Sequence, residues 1–431
     1  LVPDWEWPYK LPENWCWTTV GAINQYEGIS ADPTKAKNET FELYSVPSSA
    51  DNYPEIVLGA DIGSAKQSVK KGDVLLCKIN PRINRVWKVS KYTDHSLLAS
   101  SEWIVIRNSR LISNYLMWCL RSPYFRGYML SNVSGVGGSL MRAQPKFVQG
   151  YPIPVPPLAE QQRIVDRIEN LFVKLDEAKE KAQAVVDSFE TRKAAILHKA
   201  FTGELTAKWR EEHDVGMESW EHHQFSDLCA IVRGGSPRPA GDPRYYDGNI
   251  PFMKVADITR NDSPYVSKVE YSIKEEGLKK TRMVEENTLL LTNSGATLGV
   301  PAITTIRTTF NDGIAAFIGL DIDSLLFYYY FWTSKTAFLR SINMGAAQPN
   351  LNTKLIGEVE IDVPQTAERV EIARVLNALL SKEQQAKEAA EAVLDQIDLM
   401  KKSILARAFR GELGTNDPSE ESAMELLKRV L

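Results

Sequence analysis

The sequence has little of what marks several common classes of protein. It holds four cysteines in 431 residues, Cys16, Cys77, Cys119 and Cys229, with no CxxC pair, so a zinc site and a disulfide framework are both disfavoured. We expect ordinary buried thiols. No apolar run reaches the roughly 18 residues of a membrane-spanning helix, and the amino-terminal region lacks a basic-then-apolar signal pattern. These absences predict a soluble, cytoplasmic protein with no membrane partner.

Motifs of cofactor and metal sites are missing as well. Gly-Lys never occurs, which excludes a GxxxxGK[ST] phosphate loop, and neither HExxH nor a GxGxxG after a strand is present. The adjacent His222 and His223 favour a solvated linker over a metal pair. The sequence therefore predicts no catalytic residue, no cofactor-binding residue and no metal ligand in this chain.

The net charge of the chain does not indicate a binding partner. Lys and Arg number 51 against 55 for Asp and Glu, a difference of −4, and charged residues make up 25% of the chain. This balance disfavours disorder and a uniformly basic protein that coats DNA. The length predicts two to four folded units.

An internal repeat organises the chain. Residues 155–205 align without a gap with residues 363–413, at an offset of 208, and 22 of the 51 positions are identical. The identities include Glu160 with Glu368 and the closing AFTGEL (200–205) with AFRGEL (408–413). The order is therefore variable segment, repeat, variable segment, repeat.

Each repeat is predicted to form a long amphipathic helix. Apolar or small residues recur at spacings of four and three, a heptad seam that only Arg192 interrupts in the first copy and only Glu383 in the second. Prolines precede each copy, and Gly203 and Gly411 near the ends suit helix caps. The predicted helix-pair core consists of Ile164, Ile168, Leu171, Leu175, Val185, Phe189, Ile196, Ile372, Leu376, Leu379, Val393, Ile397, Met400 and Ile404.

The two helices are expected to pair with each other. Each apolar stripe needs a partner, and residues 213–362 between the repeats are enough to let the second helix return antiparallel. The first helix, over residues 158–201, would be about 65 Å long. This predicts two domains separated by two long antiparallel coiled-coil helices with pseudo-twofold symmetry. The alternative is that each helix packs on its own neighbouring domain.

The variable segments, residues 1–154 and 213–362, are predicted to be two divergent copies of one mixed α+β domain. Both end in a Gly-containing turn that runs into Gln-Pro, at Gly137, Gly138, Gln144 and Pro145 and at Gly345, Gln348 and Pro349. Strands are predicted at 73–79, 102–107, 287–293 and 315–320, and helices at 113–122 and 324–334.

Basic residues cluster in loops of both segments. Such clusters suit contacts with DNA phosphates and bidentate reading of guanine, and the alternative is a solvated surface. One cluster lies beside the glycine-rich stretch 134–142. The candidate DNA-binding residues are Lys66, Lys70, Lys71, Arg82, Arg85, Arg142, Arg233, Arg238, Arg244, Lys279, Lys280 and Arg282.

Five groups of sequence motifs occur in order along the chain: LPENW (11–15) with Gly21, PIPVPPLAEQQRIV (152–165), ILHKAFTGELTAKWREE (196–212), GGSPRP (234–239) with DPRYYDGNIPF (242–252), and ILARAFRGEL (404–413). Through these motifs the chain resembles, over essentially its whole length, the specificity (S) subunit of type I restriction-modification systems. Each motif alone is modest, but their order and duplication make the set specific.

The resemblance implies five parts: target recognition domains at 1–154 and 213–362, a central conserved helical region at 155–212, a C-terminal conserved helical region at 363–415, and a tail helix within 416–431. It implies a non-catalytic subunit that binds a bipartite, asymmetric site on double-stranded DNA. It further implies partners, namely two modification (methyltransferase) subunits and, through them, restriction (translocase and nuclease) subunits. S-adenosylmethionine, ATP and Mg would belong to those partners, with no cofactor bound by this chain. Two alternatives are the recognition part of a fused restriction and methylation enzyme, and a coiled-coil scaffold without a DNA role.

Overall fold

The structure, a computed structural model, describes residues 1–134, 141–341 and 351–428. The predicted turn residues Gly137, Gly138, Gly345, Gln348 and Pro349 lie outside these ranges. The chain divides into two compact units, unit 1 (Leu1–Gln183 with Ala392–Leu431) and unit 2 (Ala184–Glu391). Each unit thus combines one variable segment with parts of both repeats. The division falls inside the long helices, so the five-part division remains a prediction.

The first variable segment is mixed in secondary structure, as predicted. Its strands are β1 (Cys16–Thr19), β2 (Ser30–Ala31), β3 (Thr40–Tyr44), β4 (Glu55–Leu58), β5 (Lys66–Ser68), β6 (Val74–Cys77), β7 (Val86–Lys88), β8 (Ser96–Ala99), β9 (Trp103–Ile106), β10 (Val133–Ser134), β11 (Arg142–Ala143) and β12 (Pro152–Val155). Its helices are α1 (Val20–Ile23), α2 (Ser113–Arg121), α3 (Pro123–Ser131) and α4 (Pro145–Val148). The first repeat and the residues after it form α5 (Leu158–Asp187), α6 (Phe189–Phe201) and α7 (Ala207–Glu212).

The second variable segment has a similar composition of elements. Its strands are β13 (Glu221–Gln224), β14 (Ala230–Arg233), β15 (Tyr246–Met253), β16 (Tyr265–Val266), β17 (Tyr271–Ile273), β18 (Arg282–Val284), β19 (Thr288–Thr292), β20 (Pro301–Thr304), β21 (Thr308–Phe310), β22 (Ile314–Ile318) and β23 (Glu360–Val363). Its helices are α8 (Phe225–Leu228), α9 (Val255–Thr259), α10 (Glu275–Leu278), α11 (Leu325–Ser341) and α12 (Thr353–Gly357). The second repeat forms α13 (Thr366–Ala408), and α14 (Ala423–Lys428) follows it.

The two variable segments share the central part of a strand-pairing scheme, although their sheets differ in size. Unit 1 has sheets in the orders β2-β5-β8-β3-β4 and β7-β6-β9, and unit 2 has the orders β17-β15-β21-β18 and β14-β22-β19-β20-β16. In each unit one parallel pair, β3 with β8 or β15 with β21, lies in the first sheet, and a central strand, β6 or β19, pairs antiparallel on both sides in the second. A closing pair, β1 with β12 or β13 with β23, joins the start of each segment to the residues just before a long helix. The scheme supports the interpretation of two copies of one domain.

Burial on both faces explains the continuous apolar runs in these strands. In β6, Val74 and Leu76 join a core with Tyr115 of α2, whereas Leu75 and Cys77 join a separate core on the other face. In β19, Leu289 and Leu291 likewise join a core with the aromatic residues of α11. A strand buried on both faces carries no polar alternation, so its sequence is a short apolar run.

Within each unit the repeat helices pair antiparallel. In unit 1, Asp176 pairs with Lys401 and Lys179 with Asp398, so rising numbers on α5 meet falling numbers on α13. In unit 2, Phe189 lies against Lys387, and Arg192 pairs with Glu383. The pairing predicted from the heptad seams is therefore present in both units, and the first helix is interrupted at Ser188, between α5 and α6.

The predicted helix-pair core needs two corrections. Val393 is 40% exposed and Met400 48% exposed, so neither belongs to the core. The seam of α13 passes instead through Ala390, Leu394, Ile397 and Lys401, because the Lys401 side chain lies over the ring of Phe172, 5.1 Å from amine to ring centre, while its amine pairs with Asp176. A lysine thus fills the position that the apolar pattern assigned to a methionine.

The other predicted core residues are shielded to different degrees. Ile164, Ile168, Phe189, Ile372, Leu376 and Ile397 are buried, and Leu171, Leu175, Val185, Ile196, Leu379 and Ile404 are half-buried. Burial is deepest near the ends of the helices, where the start of α5 shares a core with Leu405 and Phe409, and the start of α13 shares one with Leu197 and Ala200.

Two equivalent buried glutamates, one near the start of each long helix, accept side-chain hydrogen bonds. In unit 1, Glu160 accepts hydrogen bonds from the Thr415 hydroxyl at 2.6 Å and from Arg163 at 3.0 Å. In unit 2, Glu368 accepts them from Thr206 at 2.7 Å and Arg210 at 2.6 Å. Burial raises the pKa of the Glu160 carboxyl, and these bonds oppose the rise. The repeated glutamates thus join the start of each repeat helix to the residues after the other.

The caps and the tail follow local rules. Gly203 and Gly411 adopt the left-handed conformation, with φ of +78° and +75°, as predicted for residues that end helices. Helix α14 packs in unit 1, where Ala423 and Leu427 are buried. Residues 429–431 lie outside the described ranges.

Candidate nucleic-acid interface

The loop after β14 lies against the ends of two neighbouring strands. A Cβ on Gly234 would come closer than 3.0 Å to backbone oxygens of Phe310 and Asn311, and one on Gly235 to that of Lys280. Only glycine permits such close backbone contact. The GGSPRP motif therefore positions Ser236 and the basic residues around it at the ends of the strands.

Asp312, in the turn between β21 and β22, fixes this loop. Its backbone oxygen accepts a hydrogen bond from Arg233 Nε at 2.7 Å, and its Oδ1 accepts one from the Ser236 hydroxyl at 2.6 Å. The Tyr246 hydroxyl donates to the Pro237 carbonyl at 2.8 Å. Side-chain bonds on both sides thus define the conformation of the loop.

A cleft of about 290 Å³ lies beside the loop. Its lining includes Ser236, Arg238, Tyr246, Asp247, Phe252, Lys254, Tyr271, Asn311 and Asp312. Arg238 Nη2 is 3.6 Å from Asp312 Oδ2, and Lys254 Nζ lies 3.0 Å from the centre of the Tyr271 ring. The cleft therefore combines two cations and carboxylates on a wall of aromatic rings.

The structure gathers several predicted basic residues of unit 2 around this loop. Arg233 and Arg238 flank Ser236, and the close contact of Gly235 with the Lys280 backbone brings exposed Lys279, Lys280 and Arg282 alongside. Arg244 is different, because its guanidinium binds both oxygens of Asp242 at 2.7–3.1 Å, which holds the pKa of that carboxyl below its ordinary value. Its charge is largely neutralised.

The predicted basic residues of unit 1 lie in two separate groups. Lys70 and Lys71 precede β6, beside Asp73, which binds Arg107 at 2.6 Å. Arg82, Arg85 and Arg142 lie at the other end of that sheet, where β6 ends. Lys66 lies at the same end as these three arginines, because the side chain of the neighbouring Gln67 donates hydrogen bonds to the Ser100 and Trp103 carbonyls. The length of β6, roughly 13 Å, separates the groups.

Arg142 is also less available than its sequence context indicates. Its Nη1 lies 2.9 Å and 3.1 Å from the two carboxylate oxygens of Glu102. The rest of the glycine-rich stretch beside it, residues 135–140, lies outside the described ranges. Whether the twelve candidate residues contact DNA therefore stays a prediction in both units.

Sequence reasoning missed the residues that complete the cleft. Lys254, Tyr271 and Asp312 were not among the candidates, although Lys254 lies only two residues after the IPF motif (250–252). The parallel pairing of Met253 with Phe310 places the residues after β15 beside those after β21. That pairing joins positions that are far apart in the sequence, so no local sequence pattern predicts it.

Metal, thiol and membrane features give simpler results. Across residues 1–134, 141–341 and 351–428, no group of three His, Cys, Asp or Glu side chains could hold a metal ion. The cysteines are free. Cys16, Cys77 and Cys119 are buried, as expected, whereas Cys229 is half-buried, and burial raises the pKa of the Cys16 thiol to about 11. No helix in the described part of the chain is long and apolar enough to cross a membrane.

Comparison with known proteins gives matches in both halves of the chain. Residues 19–186 and 217–392 match the family described as the type I restriction modification DNA specificity domain. The EcoKI specificity subunit of Escherichia coli K12 is 23% identical over 459 residues, covering 98% of this chain and 96% of that protein. The StySPI specificity subunit of Salmonella potsdam is 26% identical over 321 residues, covering 72% and 67%.

Solved structures show the same fold. The HsdS subunit from Thermoanaerobacter tengcongensis aligns with a TM-score of 0.68 at 21% identity, covering 94% of this chain and 99% of that one. A second chain, from work on complex assembly and conformational transition of the type I R-M system, aligns with a TM-score of 0.73 at 22% identity, covering 94% and 100%. With two family matches that coincide with the two copies of the fold, the chain belongs to the family of type I restriction-modification DNA specificity subunits.

Proposed function

We propose that this chain recognises a bipartite, asymmetric site on double-stranded DNA, with each α+β domain reading one half. The observation that carries the proposal is the duplication itself. Both domains share the central part of one strand-pairing scheme, and each is closed by a strand pair directly before a repeat helix. Two related but divergent readers suit a site whose halves differ in sequence.

Division of the site also agrees with the energetics of base reading. One good bidentate contact discriminates between bases by about 1–3 kcal/mol, so a small domain reads only a few base pairs. Two domains at a fixed separation add their contributions and demand a set gap between the halves. The paired repeat helices are proposed to fix that separation.

The helices are also proposed to dock two modification (methyltransferase) subunits, through which restriction subunits join. Their exposed faces are rich in charge, while their seams are used in pairing. S-adenosylmethionine, ATP and Mg are proposed to bind those partners, and catalysis to occur there. Because the substrate is host and invading DNA, the complex is proposed to act in the cytoplasm.

Two assays on the purified chain and complex test this function. Binding to DNA with the modification subunits, measured across a salt series, should be specific for one split sequence and weaken with salt. The chain alone, incubated with S-adenosylmethionine and the same DNA, should transfer no methyl group. Methyl transfer by the chain alone would support the fused-enzyme alternative, and an absence of sequence preference would support the scaffold alternative.

A further inference from the structure

The cleft in unit 2 has the wrong charge pattern for a phosphate. A phosphate presents acceptor oxygens only, so its sites collect donors and positive charge. Here the Asp312 carboxylate shares the lining with Arg238 and Lys254. A phosphate in this cleft would meet a like charge, whereas a ligand with both acceptors and a donor would satisfy both signs.

The edge of a base pair in the major groove has that mixed character. Guanine presents O6 and N7 as adjacent acceptors, and the paired cytosine presents its N4 amino group as a donor. Arginine suits the guanine acceptors because its guanidinium donates two parallel bonds, and aspartate suits the cytosine amino group. The cleft brings one side chain of each kind together.

Arg238 and Asp312 are close without saturating each other. Their 3.6 Å separation exceeds hydrogen-bond length, and the Arg238 side chain is 70% exposed. Asp312 Oδ1 is engaged by Ser236, while Oδ2 faces Arg238. Arg244 and Asp242, by contrast, form a closed pair at 2.7 Å. Arg238 therefore keeps donors for a ligand, and Asp312 keeps an acceptor.

The backbone beneath this pair is fixed in advance. Arg233 donates a hydrogen bond to the Asp312 carbonyl, and Tyr246 donates one to the Pro237 carbonyl. Gly234 lies against the end of β21. A reader that is already ordered loses less conformational entropy on binding than a loop that must fold onto its target. The geometry is that of a specificity element rather than of a loose basic loop.

We propose that Arg238 and Asp312 read one guanine–cytosine pair in the half-site of the second domain. Arg238 donates to guanine O6 and N7, and Asp312 Oδ2 accepts from the cytosine amino group. This inference rests on the proposed function, since it requires that the second domain contacts duplex DNA through this cleft.

The test compares Arg238→Lys with the unsubstituted chain, each assembled with its modification subunits. Lysine keeps the positive charge but loses the two-pronged donor, so a guanine reader loses discrimination while a phosphate contact is largely preserved. Competition binding is measured against duplexes that carry every single base-pair change in the site. We expect discrimination at one G·C position to fall by about 5- to 150-fold, with all other positions unchanged.

Two further variants make the result specific. Arg307→Lys is the matched control, because this exposed arginine pairs with Glu285 at 3.0 Å and does not line the cleft. It should leave every position unchanged. Asp312→Asn can keep the Ser236 bond but can turn an NH₂ toward the partner base, so it should relax the same G·C position toward A·T.

Several outcomes would overturn the inference. Unchanged base preferences in Arg238→Lys would do so, as would a uniform loss of affinity in Arg238→Ala with a salt slope reduced by about one, the signature of a phosphate contact. If the unsubstituted complex has no sequence preference, the proposed function fails with it. If that preference exists and survives Arg238→Lys, only this inference fails.

Discussion

The Arg192–Glu383 pair offers a direct test of how the repeat helices recognise each other. Each residue interrupts the apolar pattern of its own helix, and the two meet in unit 2, with Arg192 Nε 2.6 Å from Glu383 Oε2. The Arg192 guanidinium also donates to the Val185 carbonyl at 3.2 Å. The interruptions thus match each other and favour one register of the helix pair over its neighbours.

The expected energy follows from exposure. The two side chains are 34% and 25% exposed, between a surface pair and a buried one. Replacing either residue by leucine should cost about 1–2 kcal/mol, because the remaining charge keeps its desolvation without its partner. Replacing both by leucine should restore or exceed the original stability, since two apolar side chains then meet at this position and no unpaired charge is left.

A charge exchange separates pairing from side-chain identity. In Arg192→Glu with Glu383→Arg the ion pair re-forms, but the carboxylate introduced on α6 would face the Val185 carbonyl, an acceptor opposite an acceptor. We therefore expect about half of the single-variant loss to be recovered. The assay is hydrogen–deuterium exchange of the α6 amides and of residues 366–391, which reports local opening within unit 2.

The Lys179–Asp398 pair is the matched control. It joins the repeat helices in unit 1 at 3.9 Å, with side chains 48% and 64% exposed. The same double-mutant cycle there should give a coupling energy below about 0.5 kcal/mol. If the losses from Arg192→Leu and Glu383→Leu are simply additive, the two residues do not couple, and the register argument is wrong.

Two further predictions concern stability and spacing. Glu42 is buried in β3, and although burial favours its protonated form, hydrogen bonds from Tyr44, Tyr92 and Thr93 hold its pKa below the ordinary 4.5. The stability that this carboxylate contributes is present above its ordinary pKa and is lost as the pH falls through the folded-state pKa. Glu42→Gln should therefore cost roughly 2–3 kcal/mol at neutral pH and make the free energy of unfolding depend less on pH in the acid range. An unchanged dependence on acid pH would contradict this. Inserting seven residues after Gln183 and seven after Glu391 keeps both seams in phase and adds about 10 Å to each helix, so the gap between half-sites should grow by about three base pairs. Methylation mapping that shows the original gap would count against a spacer role.

The helices were predictable because their signals are local and repeated. An uninterrupted alignment over 51 residues located both copies, and the capping glycines Gly203 and Gly411 marked their ends. The phase of the seam was less predictable. Val393 and Met400 satisfy an apolar pattern, but the structure places Leu394 and Lys401 in the seam, since a lysine stem can cover Phe172 while its amine reaches Asp176.

The candidate site was only partly predictable, for a physical reason. Arg233 and Arg238 were recognisable as loop arginines in a Gly/Pro-rich motif. Lys254 and Asp312 were not recognisable, because they are 58 residues apart in the sequence and only the parallel pairing of β15 with β21 brings both to the loop. The basic residues of unit 1 lie at two ends of a sheet because of the order of its strands. The spacing of charged residues along the sequence does not reveal that order.

Exchange of one domain tests the central proposal most directly. Residues 1–154 are replaced by the equivalent domain of another family member with a known target, and the methylated sites of the hybrid complex are mapped in host DNA. Two independent readers predict that one half-site changes to that of the donor while the other half and the gap stay as they were. A hybrid that alters both halves would contradict the proposal.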